Sequence, residues 1–390
     1  MNQRIEQIKP SASVMLSNRA KELQKKDPSI IGLASGEPDF VTPERISAAA
    51  IRSLKEGNTH YVSPLGIPEL RQAIQKKFLE ENGINAPLEQ ILVTPGGKNA
   101  IYTVVQAVLD AGDEAMILDP SWVSYAPIVQ AAGGVPVPVK LDYRENSQIT
   151  AAALESAYSE KTRLLIINYP NNPTGRILHE EEANLLEVFL LAHPNVWLLS
   201  DEIYEKLIYD GRKHISLGAR PPLRDRVITM NGFSKCAAMT GWRLGYLTCG
   251  EELFALVYRL FQHSISCVSG FLQYGALEAF RCKAEMEEMR RTYEERRDLF
   301  VSALNEIPGV SCVLPEGAFY AWVRFDVKGF DSTQMCEYLM EQAGVVGVPG
   351  SAYGEERVCF LRFSFATATR ELETAVERIK KAVLALSGTQ

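Results

Sequence analysis

The sequence has no Cys-x-x-Cys pair. Its seven cysteines are scattered, and the closest two, Cys236 and Cys249, stand thirteen residues apart. That spacing argues against a zinc site and a disulfide framework, so no metal is expected and a reducing cytoplasm is. Basic residues are not in excess either, and a net charge of −7 leaves no electrostatic footprint for nucleic acid. No apolar run is long enough to span a bilayer, and Met1 to Pro10 is polar and charged with no apolar signal core, so no membrane partner is expected. Internal repeats and low-complexity tracts are missing. So are the G-x-G-x-x-G and G-x-x-x-x-G-K-[ST] spacings of dinucleotide and P-loop sites.

What is present is an ordinary globular mix, 46% apolar and 23% charged, over 390 residues, which is long for one core and predicts two domains. An arm, residues 1–43, runs into the short apolar strand and turn of Ile30 to Phe40. Thr42-Pro43-Glu44 then reads as N-cap, first helical residue and first-turn acid. From Ile91 strands and helices alternate. Strands are expected at Ile91–Thr94, Glu114–Leu118, Val135–Val139, Arg163–Asn168, Val196–Ser200 and Arg226–Met230, followed by Leu244–Thr248. Helices are expected at Lys98–Leu109, Ser121–Ala132, Ala151–Ser159 and Glu180–Leu191. Repeated β-α-β with near-continuous apolar strands predicts an α/β fold whose mostly parallel sheet is covered by helices. A ligand should then lie at the strands' carboxyl ends. Helices Glu251–Phe261 and Cys267–Phe280 follow, a charged helix from Ala284 to Asn305 links the domains, and Gly309 to Gln390 reads as a smaller α+β unit.

The chemistry concentrates at residues 231–246. Lys235 lies there among small and apolar residues, which disfavours its ammonium form and leaves a nucleophilic amine. Arg243, eight residues on, offers a planar fork of donors suited to phosphate. Taken singly these are surface cations. Together they suggest an aldehyde with a phosphate tail, which describes pyridoxal phosphate. Gly97 and Lys98, in a Gly-rich turn between strand and helix, would present backbone N–H groups to such a phosphate. Lys98 as a cation at a helix N-terminus opposes the macrodipole, so an anion should offset it: phosphate, a nearby carboxylate, or a substrate's distal carboxylate. Asp201 could cap a following helix, with Tyr204 packed one turn on. Alternatively its carboxylate favours the charged form of a pyridine ring, and Tyr204, on the same helix face, reaches the ring's oxygen. Arg362 alternates with Leu361, Phe363 and Phe365 on a strand and needs an anion, internal acid or substrate.

The Ser234-Lys235 pair with Thr240-Gly-Trp-Arg-Leu-Gly-Tyr246 resembles the lysine segment of fold-type I pyridoxal-phosphate enzymes, specifically the class I aminotransferases of the aspartate aminotransferase family. Asn171-Asn-Pro-Thr-Gly175, Tyr61-x-x-x-x-Gly-x-x-x-Leu-Arg71 and the Gly-Gly-Lys98 turn match in the family's order, so the resemblance covers essentially the whole chain. It implies a large cofactor domain, residues 44–290, and a small domain, 291–390, joined by the arm. It further implies a homodimer with a shared active site, in which Tyr61 reaches the partner subunit's cofactor phosphate. Lys235 would hold the cofactor and move the substrate's proton, with Asp201 and Tyr204 as the other catalytic groups. Ser234 and Arg243 would complete the phosphate site, Trp122 would stack on the ring and Asn172 would donate to its oxygen. Arg362 would clamp the substrate's α-carboxylate, with Gly36 and Ser13 beside it.

One branch of the family clamps the second carboxylate with an arginine near residues 262–266. None is present there, whereas Lys98 matches the branch with a lysine in the Gly-Gly-Lys turn, aspartate/prephenate aminotransferase-like. The expected activity is transfer of an amino group between an aspartate- or glutamate-type amino acid and a 2-oxo acid (2-oxoglutarate or oxaloacetate, with prephenate plausible). The alternatives are an aromatic or broad preference, or a carbon–sulfur β-lyase.

Overall fold

The computed structural model describes residues 3–387. The outermost ends of the expected arm and small domain, residues 1–2 and 388–390, lie outside the described residues. The strands are β1 (Ile31–Gly32), β2 (Ile91–Thr94), β3 (Glu114–Asp119), β4 (Val135–Lys140), β5 (Thr162–Asn168), β6 (Trp197–Asp201), β7 (Val227–Gly232), β8 (Gly245–Thr248), β9 (Val310–Cys312), β10 (Tyr320–Phe325), β11 (Val345–Val346), β12 (Val348–Pro349) and β13 (Phe360–Ser364). The helices are α1 (Gln3–Glu6), α2 (Ala12–Lys26), α3 (Glu44–Lys55), α4 (Pro68–Lys77), α5 (Gly97–Val108), α6 (Tyr125–Ala132), α7 (Ala151–Ala157), α8 (Glu180–Ala192), α9 (Glu251–Ser264), α10 (Gly270–Leu277), α11 (Lys283–Asn305), α12 (Ser332–Gln342) and α13 (Thr369–Ser387).

A seven-stranded sheet in the order β2-β8-β7-β6-β5-β3-β4 carries the larger part of the chain. The neighbours from β7 to β4 pair in parallel and β8 alone runs antiparallel to both β7 and β2. Strands β2, β7 and β8 are buried at every position, as in a sheet covered on both faces, and their largely apolar sequences fit that burial. This is the α/β arrangement expected, and the structure is a fold-type I architecture. Register places Asn168 beside Asp201 and Asp201 beside Met230, so the carboxyl ends of β5, β6 and β7 form one edge. Glycine is required where β8 passes the turn after β2, since a Cβ on Gly245 would lie 2.7 Å from the Gly96 carbonyl carbon and the Gly97 nitrogen.

A four-stranded antiparallel sheet, β12-β13-β10-β9, and the parallel pair β1–β11 make the second unit. Its core gathers Phe300, Phe319, Phe363 and Phe365. Pairing of β1 with β11 ties residues near 31 to residues near 345, so the arm packs with the carboxyl-terminal segment.

Several boundaries differ from expectation. Thr42 is not the cap of α3: Pro43 occupies that position, while the Thr42 hydroxyl donates to the Ala238 carbonyl and accepts from the Trp242 indole. Helix α6 begins at Tyr125 rather than Ser121, because Ser121 and Trp122 stay in the turn that leaves β3. Helix α10 covers only Gly270–Leu277 of the expected Cys267–Phe280. The arm is itself helical over Ala12–Lys26, which its mixed polar pattern did not signal. No helix among the described residues is long and apolar enough to cross a membrane.

Candidate active site

Asp201 closes β6 and is buried. Its Oδ2 accepts from the Tyr125 hydroxyl at 2.7 Å and its Oδ1 from the Ile203 N–H at 3.1 Å. Burial pushes its carboxyl up to about 6, against the pull of those two hydrogen bonds. No helix follows for it to cap. Residues 203–206 form a turn instead, which corrects the expected helix face shared by Asp201 and Tyr204. The reason lies behind the strand, where Glu202 and Glu205 are drawn into a buried network with Lys77, Asn82, His214 and Ser216. Those two glutamates and His214 have metal-ligating chemistry, but an ammonium already sits among them as the partner of Glu205.

Lys235 is half-buried in the turn after β7, and its Nζ donates to the Gly36 carbonyl. Desolvation in the cleft lowers its pKa to about 8, opposed by Glu37 and reinforced by Arg362 and Arg243. The ammonium lies 5.9 Å from the ring centroids of both Tyr204 and Phe319. It has no carboxylate within salt-bridge distance among the described residues, which leaves the amine available to an electrophile.

A cavity of about 420 Å³ opens in front of these groups. Its walls include Ser13, Gly36, Gly97, Lys98, Trp122, Asn172, Asp201, Tyr204, Ser234, Lys235, Arg243 and Arg362, twelve residues drawn from widely separated parts of the chain. Tyr61 is not among them and is 91% exposed on its own chain.

At one end of the cavity lies the turn into α5. Gly96 has φ of +79° and a Cβ there would lie 2.6 Å from an Arg243 guanidinium nitrogen, so the backbone and the arginine close on the same small space. Arg243 itself is exposed and, among the described residues, its side chain is hydrogen-bonded only to the Thr240 carbonyl. Ser234 is buried and its hydroxyl has no protein partner among the described residues. A helix N-terminus, a free hydroxyl and an unpaired guanidinium make a cradle for a phosphate. Lys98, second residue of α5, meets no carboxylate among the described residues. Its Nζ stands 4.9 Å over the Trp122 ring, and desolvation followed by the Arg243 charge lowers its pKa.

At the other end, Arg362 is 2% exposed on β13. Its guanidinium donates to the Asn172 Oδ1 at 3.1 Å and to the Ala34 carbonyl at 2.6 Å, and its Nε is buried without a partner. The internal acid that would make this a structural arginine is absent among the described residues. A buried guanidinium with no counter-ion calls for one from outside. Asn172, whose oxygen is taken by Arg362 and whose N–H donates to Asn168 Oδ1, keeps its amide donor for a ligand. Ser13, bonded to Ser11, stands at the wall formed by α2.

Two residues were not singled out from the sequence. Tyr125 holds Asp201, and its signal was its place three residues after Trp122 at the start of α6. Tyr320, whose hydroxyl meets that of Tyr204 at 2.7 Å, lies in the segment Pro315 to Val323, which the family resemblance puts on the substrate side without marking out the tyrosine. The assembled donor set suits a group with an aldehyde, a basic ring nitrogen and a phosphate. The amine, the carboxylate and the cradle are separate features of one cavity.

The family described as aminotransferase class I and II matches residues 28–379. A probable aspartate/prephenate aminotransferase of Aquifex aeolicus is 40% identical over 387 residues, covering 97% of this chain and 98% of that one. An aromatic-amino-acid aminotransferase 2 of Thermococcus litoralis is 42% identical, covering 98% and 97%. In structure, an aspartate aminotransferase from Thermus thermophilus with maleate superposes with a TM-score of 0.93 at 37% identity, covering 98% of this chain and 99% of that one.

Proposed function

The chain belongs to the class I and II aminotransferases and is an enzyme of their aspartate type, and from that premise we propose that it holds pyridoxal phosphate on Lys235. With it the enzyme exchanges an amino group between a dicarboxylic amino acid and a 2-oxo acid. The observation that carries this reading is one cavity shared by a lysine with a depressed pKa, a buried carboxylate and a buried arginine without an acid partner. Bound there, pyridoxal phosphate supplies an aldehyde that condenses with amines and a ring that draws electrons from the substrate's α-carbon.

Each residue then has a defined task. Ser234, Arg243 and the α5 N-terminus bind the phosphate, and Trp122 lies against the ring. Asp201, held by Tyr125, keeps a proton on the ring nitrogen. Tyr204 and Asn172 donate to the ring oxygen. Arg362 binds the α-carboxylate in a bidentate manner and so orients the substrate. Lys235 Nζ, as a free amine at the cavity wall, would take the proton from the substrate's α-carbon and act as the base and acid of the transfer. Glycine at position 36 brings a backbone carbonyl over the amine, and α2 limits water at the mouth.

Lys98 is read as the receptor for the distal carboxylate, supported by its lack of an acid partner. Lys98→Ala should raise KM for aspartate and glutamate about tenfold to hundredfold and leave that for alanine nearly unchanged. Equal effects on both would contradict the role. An amino-acid panel with 2-oxoglutarate, followed by glutamate release, tests the activity; phenylalanine and cystathionine in the same panel report on aromatic and lyase chemistry.

The division into domains 44–290 and 291–390, with the arm 1–43 joining the latter, belongs to this proposal, as does a cytoplasmic setting, which the seven free cysteines support. Limited proteolysis and cell fractionation check them. A homodimer belongs to it too, supported by the exposure of Tyr61 beyond its own cavity. Mixing inactive Lys235→Ala subunits with impaired Tyr61→Ala subunits should form hybrids with one intact site and restore part of the activity. No recovery would place Tyr61 outside the partner's site.

A further inference from the structure

Tyr204 and Tyr320 meet hydroxyl to hydroxyl at 2.7 Å, and both side chains are buried. Each phenol carries one proton, so one oxygen of the pair donates and the other accepts. Their surroundings differ. The Arg362 guanidinium carbon lies 4.3 Å from the Tyr320 ring centroid. Burial raises the pKa of both phenols, and the Arg362 charge opposes the rise at both, second only to burial at Tyr320 and behind the Tyr320 contact at Tyr204. A cation over the Tyr320 ring draws charge from that hydroxyl and favours it as the donor of the pair. Close approach over the cavity is also built in, because a Cβ on Gly36 would stand 2.9 Å from the Tyr320 oxygen.

We propose that Tyr320 is a positioning residue: its hydroxyl donates to the Tyr204 oxygen and so leaves the Tyr204 proton directed at the ring oxygen of the cofactor. The inference rests on the reading of Lys235 and Tyr204 given under the proposed function. Without Tyr320 the Tyr204 hydroxyl is free to rotate away from its ligand.

The test is a pH titration of the visible absorbance of the holoenzyme, the band of the cofactor joined to Lys235. Donation by Tyr204 stabilises negative charge on the ring oxygen and so weakens proton binding less where that donation is lost than where it is kept. In Tyr320→Phe the midpoint should rise by the equivalent of a threefold to tenfold change in proton affinity, about the worth of one buried neutral hydrogen bond. Tyr204→Phe should raise it further, and the double variant should match Tyr204→Phe alone. An unmoved midpoint in Tyr320→Phe, or additive shifts in the double variant, overturns the proposal. Should Tyr320→Phe fail to fold, replacing Tyr320 by 3-fluorotyrosine, a stronger donor, should lower the midpoint, and no movement would again overturn it. A holoenzyme with no titrating band at all would contradict the Lys235 reading itself, and this inference with it.

Discussion

Replacing Lys235 by alanine is expected to lower transamination by about 10⁴-fold or more, with the fold intact. The magnitude follows from two losses at once. The amine that moves the α-proton contributes about 10²- to 10⁴-fold as a general base, and the covalent anchorage of the cofactor goes with it. Structure gives reason to expect little else to change. Lys235 makes one hydrogen bond, to the Gly36 carbonyl, and its half-buried amine faces the cavity rather than the core. Single-turnover kinetics beside a thermal melt separate the outcomes. Near wild-type turnover in a folded Lys235→Ala variant would refute the assignment.

The second large effect is at Asp201. With the ring charge unpaired, kcat/KM in Asp201→Ala should fall about 10²- to 10⁴-fold, the cost of removing one partner of a buried ion pair. Asp201→Asn distinguishes charge from packing. Its amide oxygen can still accept from the Tyr125 hydroxyl, which now lies 2.7 Å away, but it carries no charge. The account requires asparagine to be nearly as impaired as alanine. If asparagine kept most of the activity, the carboxylate would be holding Tyr125 in place rather than a proton on a ring.

The alternating strands were legible because a sheet buried on both faces leaves unbroken apolar runs, and β2, β5, β6 and β7 fell within a few residues of where those runs predict. Lys235, Arg243 and Asp201 were legible for a related reason: charged residues next to such runs stand at strand ends, where ligands bind. What the sequence hid depended on tertiary partners. The turn after Asp201 is not helical because Glu202 and Glu205 are drawn toward Lys77 and His214, far away in the chain. Thr42 was lost as a cap to the Ala238 carbonyl, 196 residues distant. Tyr320 sits in a segment that the resemblance puts on the substrate side, but nothing in the sequence pairs it with Tyr204, 116 residues away. Arg362 was visible as a cation needing an anion, while the absence of any internal acid beside it could be read only from the packed structure.

The most direct measurement is to incubate the cofactor-free protein with pyridoxal phosphate across a range of pH, reduce with borohydride and map the labelled peptide. One label per chain is expected, on Lys235, forming faster as pH rises and levelling above about 8, since only the neutral amine attacks. A label on another lysine, or a folded chain that traps none, would contradict the account.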